Sequence, residues 1–377
     1  MTDPRDHKTP FGPITGDARL RVGARSNVSP VRDRANGSLV IAGAHSSRAW
    51  SAILRRYREP SLARSLTELL ITGVPFSLLW LSMWALLGAG YWICLLLAVP
   101  TAGFLVRLFM IQHDCGHGAF FRHRRANDWL GRAIGVLTLT PYDCWRRSHA
   151  IHHATSGNLQ RRGIGDIDTL TTGEYKALSS WRRLRYRLYR HPLVMFGVGP
   201  AYLFILQHRL PVGEMRNGWG PWISAMSTNA AIAILVVAMM YLVGAGPFLL
   251  VQIPITLLAG AIGVWLFYVQ HQFEDTYWAR SEAWSLHDAA IHGSSHYHLP
   301  GILRWFTANI GIHHVHHLCS GIPFYRLPKI LHEHPQLGSV GRLTLFESLR
   351  CVRLALWDER AQRLISFREL RHRAAWP

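Results

Sequence analysis

Lysine is almost missing from this chain. Of its 377 residues only Lys8, Lys176 and Lys329 are lysines, although Lys and Arg together number 41. Charge of either sign is sparse at 17% of residues, against roughly 25% in soluble domains. Cysteine is sparse too. Cys94, Cys115, Cys144, Cys319 and Cys351 form no CxxC pair, which argues against a disulfide framework and against a cysteine-based zinc site. A reducing, cytoplasm-facing environment fits. There is no GxGxxG dinucleotide fingerprint, no HPGG segment for haem and no clustered cysteines for an iron–sulfur centre. No ordered n-region and h-region follows Met1, so no signal peptide is expected. Internal repeats and low-complexity tracts are absent as well.

Long apolar blocks are present. Hydrophobic residues make up 49% of the chain, while the mean hydropathy of +0.08 leaves room for a large polar part outside lipid. Leu69–Leu87 is uncharged, and Tyr91–Gln112 is interrupted only by Arg107. Asn217 to Gln270 runs 54 residues without Asp, Glu, Lys, Arg or His, and breaks at Gly244-Ala245-Gly246-Pro247. A spanning helix needs about 20 apolar residues. Two helical hairpins are therefore expected, with spans at 69–87, 91–112, 222–243 and 248–270. Residues 192–207 form a shorter apolar run with Gly199-Pro200 inside. At roughly 24 Å as a helix it falls short of a bilayer core, so it is read as an interfacial helix. Residues 1–50 read as a disordered basic arm, 51–348 as the membrane domain and 349–377 as an amphipathic tail, helical on the membrane surface, with Leu354, Leu356, Trp357, Leu364 and Ile365 on its apolar face.

The net charge is +19. The hairpin tips carry none of it, and the arginines gather before the first span and after the second. By the positive-inside rule both termini and the middle loop face the cytoplasm. This topological reading of the basic balance is favoured over nucleic-acid binding, for which no motif is present.

Twenty-two histidines stand out by placement. His113 and His117 form an HxxxH pattern. His149, His152 and His153 form HxxHH, and His313, His316 and His317 repeat it. Helical spacing of three and four puts each set on one face. One HxxHH is expected by chance only about 0.07 times at this histidine frequency, and here there are two. Eight imidazoles exceed the appetite of one metal. Imidazole suits Zn, Cu, Fe and Ni, and a pair of irons would give such a ligand set a purpose in O2 chemistry.

The three boxes and two hairpins resemble the membrane fatty acid desaturase family. The likeness is closest to its acyl-lipid, Δ12/ω6-like branch, through Val269-Gln270-His271-Gln272-Phe273-Glu274, Leu303-Arg304-Trp305-Phe306-Thr307, Asn309-Ile310-Gly311-Ile312-His313-His314-Val315-His316-His317 and Ile322-Pro323-Phe324-Tyr325-Arg326-Leu327-Pro328. The resemblance implies an all-α membrane protein: four transmembrane helices in two hairpins, with a cytosolic helical cap holding a His-ligated dimetal site. Its ligands would be His113, His117, His149, His152, His153, His313, His316 and His317. It implies a ninth, for which His271 is the better match and His296 the alternative. His314 lies off the ligand face, and His298 stands where this branch leads one to expect Asp.

Outer partners of the ligands are sought among Asp114, Asp143, Asp166, Asp168 and Asn309, because a ligating imidazole usually donates its other N–H to an oxygen. The implied chemistry is O2-dependent removal of two hydrogens from an acyl chain, leaving a cis double bond, in unsaturated lipid biosynthesis. The implied cofactor is two Fe, replaceable by Zn on expression. The implied partners are an acyl lipid or other acyl carrier, the membrane, and an external electron donor, either a ferredoxin or a b-type cytochrome. A bacterial inner membrane is the expected location. A hydroxylase or ketolase on the same scaffold is the nearest rival. A divalent-metal transporter is a distant one, since it would carry polar ligands inside its spans.

Overall fold

The computed structural model describes residues 47–374. The first 46 residues of the expected arm lie outside the described residues. The chain is mostly helical. Helix α1 (Ser47–Leu54) leads to α2 (Leu62–Ala85) and α3 (Tyr91–His117), joined by a short turn at Leu87–Ala89. Gly90 completes that turn at φ +143°, a conformation open to glycine because it lacks a Cβ. Next come α4 (Arg124–Leu137), α5 (Tyr142–Thr155), α6 (Thr172–Ala177) and α7 (Ser180–Tyr189). The second hairpin is α9 (Trp219–Val243) and α10 (Ala245–His271), hinged at Gly244 with φ +90°. Among the described residues, four helices are long and apolar enough to cross a membrane: α2, α3, α9 and α10. Helix α3 packs against both α2 and α10.

These helices outrun the apolar blocks. Helix α2 starts seven residues before Leu69, where the Ser61 side chain accepts from the Arg64 N–H and caps it. The charge of Glu68 inside it is neutralised by Arg64 and Arg107, so a charge-free block understates the helix. Helix α3 runs past Gln112 to His117, and α10 reaches His271.

The short apolar run is helical and irregular. A single α-turn, α8 (Gly199–Ala201), sits between π-helical stretches at Val194–Val198 and Tyr202–Leu206. Pro200 lacks an N–H to continue a regular ladder, and π-bulges are the usual accommodation. This stretch packs on α10 through Phe196, whose ring lies 5.1 Å from Trp265 and 5.3 Å from Tyr268.

The cap contains α11 (Leu286–His292), α12 (Gly301–Phe306), α13 (His313–Leu318), α14 (Leu327–Glu333), α15 (Leu345–Cys351) and α16 (Phe367–Ala374). Five short strands among the described residues were not anticipated. Strand β1 (Leu170–Thr171) pairs in parallel with β4 (Leu354–Asp358), which pairs antiparallel with β5 (Arg363–Ser366). Strand β2 (His296–His298) pairs in parallel with β3 (Arg342–Thr344).

The C-terminal segment therefore differs from the single surface helix expected. Leu356, Trp357, Leu364 and Ile365 are buried, and Trp357 and Leu364 pack with Leu159 and Trp278. A turn stops any helix between them. The Asp358 carboxylate accepts from the N–H groups of Arg360 and Ala361, and Gln362 adopts φ +51°. Apolar residues spaced for a helical face also suit two facing strands when a turn divides them.

Candidate metal centre

Nine histidines from four helices meet at one end of the α3 and α10 spans. His113 and His117 come from the last turns of α3, and His271 ends α10. His149, His152 and His153 come from α5, and His313, His316 and His317 from α13. They divide into two groups. His113, His117, His149, His153 and His316 form one, and His152, His271, His313 and His317 form the other, with ligand atoms inside each group all within 4.8 Å of one another. The groups adjoin: the His153 and His317 rings stack at 4.1 Å between centroids.

The Nε2 atoms face one another. In the first group His117–His149, His149–His153 and His153–His316 are separated by 3.0, 3.1 and 3.2 Å. In the second group His152–His271, His271–His313 and His313–His317 are separated by 3.1, 3.0 and 3.1 Å. A metal–imidazole bond of about 2.1 Å places adjacent octahedral ligands about 3.0 Å apart. The spacing is that of a coordination shell.

Tautomers sharpen the test. His152 donates Nδ1–H to the Asp166 carboxylate. His271 donates Nδ1–H to the Gly293 carbonyl at 3.0 Å. Both rings therefore turn an Nε2 lone pair inward, where two acceptors face each other. A cation between them removes the repulsion, so the donor set fits a metal in each group. Burial, reinforced by the neighbouring rings, holds His149, His153, His313, His316 and His317 well below the usual imidazole range. They are neutral near pH 7, as ligands must be.

The other residues singled out in the sequence are scattered. Asp166 reaches His152 because Gly165, at φ +70°, lets the loop pass close: a Cβ there would lie 3.0 Å from the Ser148 carbonyl oxygen and 3.2 Å from the His152 Cβ. Asp114 accepts from the Phe324 N–H at 2.7 Å through one oxygen and lies 3.5 Å from the His113 Nδ1 through the other. Asn309, at φ +57°, donates to the Phe324 carbonyl at 3.3 Å, so the two residues hold that backbone unit from both sides. Asp143 pairs with Arg132 and Arg146. Asp168 offers its backbone: its N–H donates to Tyr189 and its carbonyl accepts from Arg190, while burial lifts its carboxyl to about 6. His296 donates to the Gly338 carbonyl at 2.7 Å and belongs to neither group. His314 is buried and donates Nε2–H to the Leu337 carbonyl at 2.8 Å. Two further contacts border the cluster: the Gly293 carbonyl, a backbone group that side-chain patterns do not mark, and the Trp145 ring stacked on His149 at 4.7 Å, as their i, i+4 spacing on α5 allows.

Residues 89–346 match the model of the family described as fatty acid desaturase. The chain belongs to the fatty acid desaturase family. It is 46% identical to a Bacillus subtilis protein named fatty acid desaturase, over 87% of this chain and 93% of that one. It is 29% identical to a Synechocystis sn-1 acyl-lipid omega-3 desaturase (ferredoxin), over 58% of this chain and 61% of the relative. It is also 29% identical to an endoplasmic reticulum omega-3 fatty acid desaturase of Vigna radiata, over 58% and 59% of the two chains. A desaturase with four apolar helices of spanning length is a membrane protein, and its histidine cluster sits where those helices end.

Asp166 offers a measurable check. One oxygen holds His152, and the other is buried without a partner beside a cavity of about 10 Å³, near the size of a single water. In Asp166→Asn, metal affinity and activity should drop by roughly 10- to 100-fold, the usual toll of losing a ligand's outer partner. Isothermal titration of the metal-stripped protein reads it, and an unchanged affinity would remove Asp166 from the site.

Proposed function

We propose that this desaturase inserts a cis double bond into acyl-lipid chains in an O2-dependent reaction, at a Δ12/ω6-like position, with two irons held by the nine histidines. The observation that carries the reading is the division of nine histidines into adjoining groups of five and four, eight of them with Nε2 atoms at coordination-shell spacing. Once bound, a pair of irons supplies the O2 chemistry that removes two hydrogens from neighbouring methylenes. The protein's own part is positional. Asp166 and the Gly293 carbonyl fix which nitrogen of His152 and His271 turns inward. The stack of Trp145 on His149 restrains that ring, and burial shields the centre from bulk water. Electrons come from a separate donor. Four relatives that carry ferredoxin in their names support a ferredoxin, and a b-type cytochrome is the other candidate.

Expression in a host that makes only saturated and monounsaturated lipids, followed by fatty acid analysis, tests this. A new diunsaturated acid, with its second double bond located by mass spectrometry, is the expected product. An omega-3 position would move the protein toward its omega-3 relatives. A hydroxylated acid would establish the hydroxylase reading instead.

The proposed placement is a bacterial inner membrane. Four crossings would leave both termini and the metal centre cytoplasmic, with residues 192–207 not crossing. The nine histidines lie on both sides of this segment in sequence and share one centre. That requires an even number of crossings between α5 and α13, which α9 and α10 supply. Single cysteines placed at Arg185 and Glu214 should both react with an impermeant reagent from the cytoplasmic side. Labelling from opposite sides would mean that the segment crosses.

A further inference from the structure

Helix α7 is amphipathic in the inverse sense. Its inward face is built from polar-tipped side chains. Tyr186 is buried and donates to the Ala355 carbonyl at 2.6 Å. Arg190, just past the helix end, is buried and donates to Gln272 at 2.9 Å, to Tyr268 at 3.2 Å and to the Leu354 carbonyl at 2.8 Å. At about 100° per residue, Trp181, Leu184 and Leu188 fall on the side opposite Tyr186. They are 65%, 45% and 51% exposed. Arg185 and Arg187 lie roughly 100° to either side of Tyr186. Both are exposed, and they flank the apolar stripe.

A helix in a soluble protein turns its apolar stripe toward the core. This one turns it outward, and the surface continues into the next segment through Leu193, Val198, Tyr202 and Leu206, which are 74%, 66%, 55% and 60% exposed. The height of the helix is set by its end. Arg190 is tied to Tyr268, one turn before the spanning helix α10 stops at His271. The stripe thus lies near the level where an apolar helix leaves the hydrocarbon. Trp and Leu facing one way with arginines along the flanks is the pattern of helices that lie in the bilayer interface. Basic residues at that level are attracted to anionic lipids.

We propose that α7 is an interfacial anchor, its Trp181–Leu184–Leu188 face seated in the bilayer and its arginines gripping the phosphates of anionic lipids. An acidic protein partner would match the arginines alone. A lipid surface matches both the arginines and the apolar stripe, and on the topology proposed above it borders the continuation of that stripe. The anchor fixes the cap, through Arg190 and Tyr186, at one height above the lipid.

The test uses the full chain with Leu184, and separately Leu188, replaced by the photoreactive amino acid p-benzoylphenylalanine. The protein is irradiated in vesicles of phosphatidylcholine and phosphatidylglycerol, and again in native membranes, and adducts are identified by mass spectrometry. Phospholipid adducts are expected in both. Phosphatidylglycerol should exceed its bulk share by roughly fivefold, the factor that about 1 kcal/mol of attraction per basic residue represents. Adding Arg185→Gln should return the ratio toward bulk while lipid adducts persist. Adducts at bulk proportions in the parent would overturn the anionic preference. Absence of lipid adducts at both positions, or adducts to a second protein in native membranes, would overturn the anchor itself. None of these readouts depends on desaturase activity.

Discussion

His316→Ala and His152→Ala should each abolish desaturation and release one metal, leaving about one per chain instead of about two. The two substitutions act on different groups: His316 belongs to the five and His152 to the four. Each removes an Nε2 that stands 3.1–3.2 Å from its neighbours. Metal analysis of purified protein, alongside fatty acid analysis of the expressing host, reads both losses. His314→Ala provides the contrast. Its ring is buried beside the same helix turn but donates away from the centre to the Leu337 carbonyl, and burial lowers it to about 3. That variant should keep both metals and lose about 1–3 kcal/mol of stability, as when a buried acceptor is left unmet. Loss of a metal from His314→Ala would show that the groups are drawn wrongly.

Arg107→Ala should be the most destabilising change within the helices of spanning length. Arg107 and Glu68 are each 1% exposed and pair directly between α3 and α2. The same guanidinium donates to Thr72 at 3.1 Å and to the Trp305 carbonyl, and it lies 4.0 Å over the Trp305 ring. Trp305 lies in the last turn of α12, and the chain turns from there through Ala308 and Asn309, both at positive φ, into the helix that carries His313, His316 and His317. One side chain thus ties two helices of spanning length to the segment bearing a third of the candidate metal site. Removing one partner of a buried pair costs about 3–5 kcal/mol, because the other charge is stranded. The melting temperature should fall by more than about 5 °C, and metal content should fall with it as α13 loosens. The double change Glu68→Gln with Arg107→Met should cost clearly less than the two single changes added together, since no charge is stranded. Simple additivity in a thermal-shift series would mean that the pair does not act as a unit.

Much of this protein is written locally. Uncharged stretches near 20 residues long announced four helices of spanning length, because burying backbone in lipid leaves little choice but a helix. The HxxxH and HxxHH spacings brought imidazoles to one face of a helix by geometry alone, and the extended third box carried the family likeness. His271 was harder to read. It is a single histidine at the end of an apolar run, and its spacing says nothing. Only the packing of α10 beside α5 and α13 brings its Nε2 within 3.1 Å of His152 and 3.0 Å of His313. Tertiary structure also decided among the aspartates. Asp114, Asp143, Asp166 and Asp168 look alike as residues near the boxes, yet the turn at Gly165 brings Asp166 into hydrogen-bond contact with His152, while Asp114 stays 3.5 Å from His113 and is taken up by the Phe324 N–H. The true start of α2 was hidden for a related reason: a charge ends an apolar block in the sequence, while Glu68 stays inside the helix because Arg107, 39 residues away, neutralises it. The C-terminal residues went astray because helical and strand patterns coincide over short spans, and a turn at Asp358 settled the choice. Periodicity is a property of neighbours along the chain. Ligation, charge pairing and strand register belong to neighbours in space, and those were decided by the fold.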